Sequence, residues 1–163
     1  MKRTLRYLLM SLFLAQPLLA DGTLPFGDGT LPFGMAGRII ELANGQESGE
    51  LPLEVYFDRS ASGSFNNSPI TESIACPRPM NSYRVGGQIE LGRNSLYAIQ
   101  GVCAASSAPG QRLIEARRGT DTLRLDGVLR ANPSNGMQSF QGTATLTSRS
   151  GAVLQSFRFD LSE

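Results

Sequence analysis

Few residues in this chain have the types and spacing to do chemistry. Cys76 and Cys103 are the only cysteines among 163 residues, and there is no histidine and no tryptophan. Without histidine, Ser-His-Asp and Cys-His catalysis, the common zinc sites and a switch titrating near neutrality are all excluded. The cysteines lie too far apart for a CxxC redox pair, so a structural disulfide is expected, closing a separation of 27 residues. Glu54, Tyr56 and Asp58 recur every second residue, which places two carboxylates and a phenol on one strand face. Glycosidase chemistry needs two carboxylates about 5–10 Å apart in a cleft, whereas i to i+4 along a strand spans about 13 Å. Alone they read as a solvated face. Arg112, Arg117 and Arg118 form a small basic cluster that could receive an acidic partner or a phosphate. No phosphate loop, dinucleotide fingerprint, nucleophile elbow or metal-ligand spacing occurs. No enzyme, cofactor or metal is expected.

The N-terminus points to export. Lys2, Arg3 and Arg6 precede an apolar run from Leu8 to Ala20, which ends in a small residue before Asp21. That is the pattern of a cleaved signal peptide over residues 1–20. Asp21 and the absence of any cysteine before Cys76 argue against a lipid anchor. Cleavage would remove three of fifteen cations and leave twelve against fourteen carboxylates, net −2. A near-neutral surface gives no reason to expect nucleic-acid binding. The expected location is the bacterial periplasm or the medium, with no stable membrane insertion after cleavage.

Residues 21–36 contain a perfect tandem repeat: Asp21-Gly22-Thr23-Leu24-Pro25-Phe26-Gly27 returns as Asp28-Gly29-Thr30-Leu31-Pro32-Phe33-Gly34. Its glycine and proline density resists helix and strand. The segment reads as a flexible tail, with Leu24, Phe26, Leu31 and Phe33 as candidate partner-docking side chains.

Residues 37–163 carry a period-2 pattern with frequent turn signals. Arg38–Leu42, Leu51–Arg59, Ser82–Leu91, Leu96–Ala104, Thr122–Arg130, Phe140–Thr147 and Val153–Leu161 read as strands, and Pro69–Cys76 as a short one. Gln111–Arg117 fits a strand or one helical turn. Gly86-Gly87 suggests a bulge or bend, and Asn44-Gly45 and Asn135-Gly136 suggest turns. Inward faces are expected at Leu53/Val55/Phe57, Leu123/Leu125/Leu129, Phe140/Ala144/Leu146 and Val153/Phe157/Phe159/Leu161. The fold class is all-β: one antiparallel β-sandwich or small barrel of about eight short strands with one disulfide.

Ser82-Tyr83-Arg84-Val85, Ile89-Glu90-Leu91, Leu96-Tyr97-Ala98-Ile99-Gln100 and Pro109-Gly110-Gln111-Arg112-Leu113-Ile114 carry a family likeness, with Leu53-Glu54-Val55-Tyr56-Phe57-Asp58 as an earlier core strand. Over about residues 37–119 the chain resembles the β-sandwich domain of YbaY-type lipoproteins and the YscW-type pilotins of type III secretion. It departs from them in lacking the lipidated cysteine, in having a cysteine pair, and in its additional C-terminal hairpins. The resemblance implies a non-enzymatic exported domain that binds another envelope or secreted protein, as a pilotin-like accessory or chaperone of a secretion or assembly system. Exposed sheet edges would be its docking sites. The alternatives are a periplasmic small-ligand or polysaccharide-binding domain, a carboxylate-based hydrolase, or a secreted inhibitor of another enzyme. With eight Phe, four Tyr and no Trp, a sugar-stacking platform is poorly supplied.

Overall fold

The computed structural model describes residues 34–58, 74–105, 107–108 and 110–163. Residues 1–20, read above as a signal peptide, and Leu24, Phe26, Leu31 and Phe33 of the tandem repeat lie outside them. Nine strands form: β1 (Gly34–Ala43), β2 (Gln46–Phe57), β3 (Asn81–Tyr83), β4 (Gly87–Leu91), β5 (Ser95–Ala104), β6 (Gln111–Arg118), β7 (Asp121–Ala131), β8 (Gln138–Thr147) and β9 (Val153–Ser162). The ambiguous Gln111–Arg117 segment is therefore a strand. Ile74–Cys76, the described part of an expected strand, is not one.

Every pairing is antiparallel. The order β5-β4-β2-β1-β9-β8-β7-β6 closes on itself through β5–β6, giving an eight-stranded up-and-down barrel. Of the two architectures expected, the barrel is the one formed. β3 lies end to end with β4 along the same flank of β5, opposite Val102–Ala104, while β4 lies opposite Ser95–Ala98. The break falls at the expected Gly86-Gly87 bend. Closure leaves little of the sheet edge expected for docking: among the described residues, three-residue β3 pairs on a single side, as does the stretch Gln46–Leu51 of β2, beyond its pairing with β4.

The alternation is apolar inward and polar outward, the reverse of a barrel that faces lipid. Leu53, Val55 and Phe57, Leu123, Leu125 and Leu129, and Phe157, Phe159 and Leu161 all join one buried cluster. An eight-stranded barrel is just wide enough for side chains to fill. Here Phe140 and Phe159 meet at its centre with ring centroids 4.9 Å apart. Met35 belongs to this core at 2% exposure, so the barrel includes Gly34–Ala36 of what reads as the tail. Val153 departs from its expected inward place and is 62% exposed, because a register shift at Leu146/Thr147 loosens the last rungs of β8–β9.

Two glycines let neighbouring backbones approach. A Cβ on Gly142 would stand 2.0 Å from Asp126 O, and one on Gly37 would stand 2.0 Å from Asp160 O. No other residue fits there.

Turns at residues 44–45, 92–94, 119–120 and 148–152 gather at one end of the barrel. At the other end emerge the connections after Phe57, Ala104 and Ala131, together with Gly34 and Glu163. Asn44 and Gly45 both take positive φ, 53° and 78°, in the tight β1–β2 turn.

Candidate functional site: an arginine-lined trough on the barrel wall

The register of β1, β9, β8 and β7 builds two rows of outward side chains. Arg38, Asp160, Gln141 and Val128 stand abreast, as do Ile40, Arg158, Thr143 and Asp126. With Arg130 they enclose a groove of about 580 Å³. Gly142 and Phe159 also line it; their side-chain positions point inward, so they contribute backbone as its floor. Arg38, Arg130 and Arg158 come from three different strands and converge only because of this pairing.

Their electrostatics are loosely committed. Arg38 approaches Glu50 at 3.7 Å with both side chains 58% exposed, and Arg158 pairs with equally exposed Glu47. Such surface pairs contribute about 0–1 kcal/mol, so an incoming carboxylate can displace them at little cost. Arg130 has no ion pair among the described residues. Gln141 Nε2 donates to Asp160 Oδ1 at 3.0 Å and keeps that acid engaged.

The groove continues past Thr143 into a second hollow of about 490 Å³, lined by Thr145, Arg124, Asp126, Leu113 and Ala75–Pro77. Its far wall is a strap, Ile74–Met80, carried across the outside of β5 and β6. The Cys76–Cys103 disulfide fastens the strap, with sulfurs 2.09 Å apart. Ile74, Leu113 and Cys103 pack beneath it, joined by Cys76 and Met80. The expected disulfide is thus present, and it anchors a covering segment to β5 where a strand was expected. Beside it, Glu115 is 3% exposed although it points outward. Its carboxylate accepts from Arg117 Nη2 at 3.0 Å and from Arg124 Nη2 at 2.7 Å, and Arg124 Nη2 also donates to Ala75 O at 3.3 Å.

The sequence-expected arginine cluster does not assemble. Arg112 shares the inward parity of Ile114 and Ala116 and is fully buried, its Nη1 donating to Gln111 O at 2.7 Å. Arg117 is held by Glu115, and Arg118 Nη1 donates to Ser95 Oγ at 2.7 Å. Strand alternation separates Arg112 from Arg117, and the ion pair spends Arg117. Sequence reasoning missed Arg38, Arg130, Arg158, Ile40 and Val128. Each is only an outward position on its own strand, and the one available signal was that arginines are all the cations past the N-terminal segment.

Glu54 and Tyr56 do share the outward face of β2, while Asp58 falls just past its end, its N–H donating to Gly86 O at 3.0 Å. Glu54 pairs in register with Glu90 of β4, which supplies the second carboxylate the strand alone could not. The Tyr56 hydroxyl donates to Glu54, and that bond, some desolvation, and the charges of Glu54 and Glu90 hold the phenol's pKa above its usual 10.0. Neither groove includes these acids. Among the described residues no cluster of three or more His, Cys, Asp or Glu could hold a metal, and no helix is long and apolar enough to cross a membrane. No protein-family model, curated protein or solved structure matches the chain, so the site is read from its own geometry.

Proposed function

We propose that this chain is a non-enzymatic, exported protein-binding barrel, a pilotin-like accessory or chaperone in an envelope secretion or assembly system. Residues 1–20 would be its cleaved signal peptide, and the periplasm or medium its location. The disulfide fits an oxidising compartment. The observation that carries the binding reading is the trough: three arginines flank the apolar side chains of Ile40 and Val128 on an open wall. Arginine beside exposed aliphatic surface is the composition of a protein-docking patch. The interior carries one cluster of buried apolar side chains, which supports a packed core over the small-ligand alternative.

The test is site-specific photo-crosslinking in living cells of the source bacterium. A photoreactive residue at Val128, in the trough, should trap one defined envelope or secreted protein. The same residue at Glu90, on the β4 flank, should not. Equal trapping at both positions, or at neither, would remove the trough as the docking surface.

A further inference from the structure

We infer that the trough accepts an extended, carboxylate-bearing peptide segment laid across the strands, running from Arg38 to the strap at Cys76. This rests on the protein-binding reading above and names the chemistry of the partner. The dimensions set the length. From β1 across β9, β8 and β7 to β6 is four strand spacings, about 19 Å, the span of about six extended residues. The main groove and the hollow under the strap adjoin at Thr143, which lines both.

Charge sets the composition. Arg38 on β1, Arg158 on β9 and Arg130 on β7 are spread along the groove, and Arg38 and Arg158 are held only by exposed acids that a partner carboxylate can replace. Arginine's planar fork favours carboxylate over a diffuse negative charge. Ile40 on β1 beside Arg158 and Val128 on β7 beside Gln141 offer apolar contact at opposite sides of the groove. Gln141, Thr143 and Thr145 supply amide and hydroxyl groups that match a peptide backbone.

The same lining disfavours a uniform polyanion. Asp160 and Asp126 stand in the two rows among the arginines, so an acidic polysaccharide with charge on every unit would meet two carboxylates. A peptide with a carboxylate only at every second residue carries fewer charges to set against them and can place those it has on the arginines.

The experiment uses fluorescein-labelled hexapeptides on the purified protein with its disulfide intact, read by fluorescence anisotropy. The probes are Glu-Val-Glu-Leu-Glu-Val, its lysine counterpart, and a labelled heparin hexasaccharide. The acidic peptide should bind, weaken with added salt, and lose about tenfold or more in affinity in R130E/R158E. The milder R130Q/R158Q should fall between, and R149E, in the β8–β9 turn, should bind as the parent does. Circular dichroism of each variant establishes that the barrel is retained. Equal binding of acidic and basic peptides, an equal loss in R149E, or tighter binding of the hexasaccharide would overturn the inference. Failure of the acidic peptide while Val128 still crosslinks a partner would overturn this chemistry and leave the docking surface standing. Failure of both would remove both.

Discussion

Glu115 and Arg124 face each other across β6 and β7 on the outside of the barrel, and Arg124 reaches from that pair to the carbonyl of Ala75 in the strap. One carboxylate therefore organises two arginines and, through one of them, the segment fastened by the disulfide. The side chain of Glu115 is 4% exposed, while those of Arg117 and Arg124 are 55% and 40% exposed. Removing the acid leaves the arginines free to hydrate, so the cost is that of lost charge-assisted bonds and not of a stranded buried charge. Glu115→Ala should destabilise by about 1–3 kcal/mol, and Glu115→Gln by less, because an amide still accepts. Urea unfolding with an unchanged m-value checks the order. An alanine variant as stable as the parent would mean that the cluster contributes nothing.

The disulfide joins the strap to the end of β5 and is not part of the barrel's hydrogen-bonded closure. The double variant Cys76→Ser/Cys103→Ser should keep its β circular dichroism and lose about 3 kcal/mol of stability, the entropy of closing a loop of this size. Ile74 and Leu113, now under the strap, should become accessible. A hydrophobic dye such as ANS should then bind the folded variant and not the parent. Loss of the β signal together with the disulfide would show instead that strap and barrel fold as one unit.

How much of this was legible in sequence follows from what each feature depends on. Strands with strict alternation, such as Leu53/Val55/Phe57 and Leu123/Leu125/Leu129, were readable because one residue's burial fixes its neighbours'. Reading failed where the period was broken. The register shift at Ile99/Gly101 in β5 and the strap over β6 leave Leu113, Ile114, Glu115 and Ala116 all buried, which erases any two-face pattern there. Arg112 was misread for the same reason: nothing local says that an arginine beside Leu113 points into the barrel. Met35 was hidden behind Gly37, which gives no hydrophobic signal although it holds an inward position. The trough was out of reach altogether. Arg38 and Arg158 are 120 residues apart, and only the pairing of the first strand with the last, β1 with β9, brings them to one face.

On the flank away from the trough, the Tyr56–Glu54 hydrogen bond gives a pH dependence whose sign is fixed. The folded phenol holds its proton more tightly than the unfolded one, whose pKa is 10.0. Its contribution to stability is therefore fully present below pH 10 and fades as pH rises through the raised folded value. Phenolate absorbance near 295 nm should show one tyrosine titrating later than an ordinary phenol, and Glu54→Gln should bring it back toward the usual range. A titration unchanged by Glu54→Gln would dismiss the bond as the cause.

Gly142 puts the barrel's close backbone approach to direct test. It stands opposite Gly127 of β7, and its added Cβ would lie 2.0 Å from Asp126 O and 2.5 Å from Gly127 Cα. Both obstacles are backbone within a hydrogen-bonded ladder, so no rotamer change relieves the clash, and β7 and β8 must separate. Gly142→Ala should cost about 3 kcal/mol or more. The contrast is Gly49 in β2, where the nearest atom to a new Cβ is Glu41 Oε2 at 4.0 Å and no positive φ is required. Gly49→Ala should lie within about 1 kcal/mol of the parent, on the stabilising side, because alanine restricts the unfolded chain. Comparing the two by urea midpoint separates the loss of glycine's chain entropy, common to both, from the steric demand at Gly142. The groove reports on the same contact, since the Gly142 backbone forms part of its floor. Whatever fraction of Gly142→Ala still folds should therefore crosslink less at Val128. A well-folded Gly142→Ala with parental stability would mean that β7 and β8 do not approach as closely as the barrel requires.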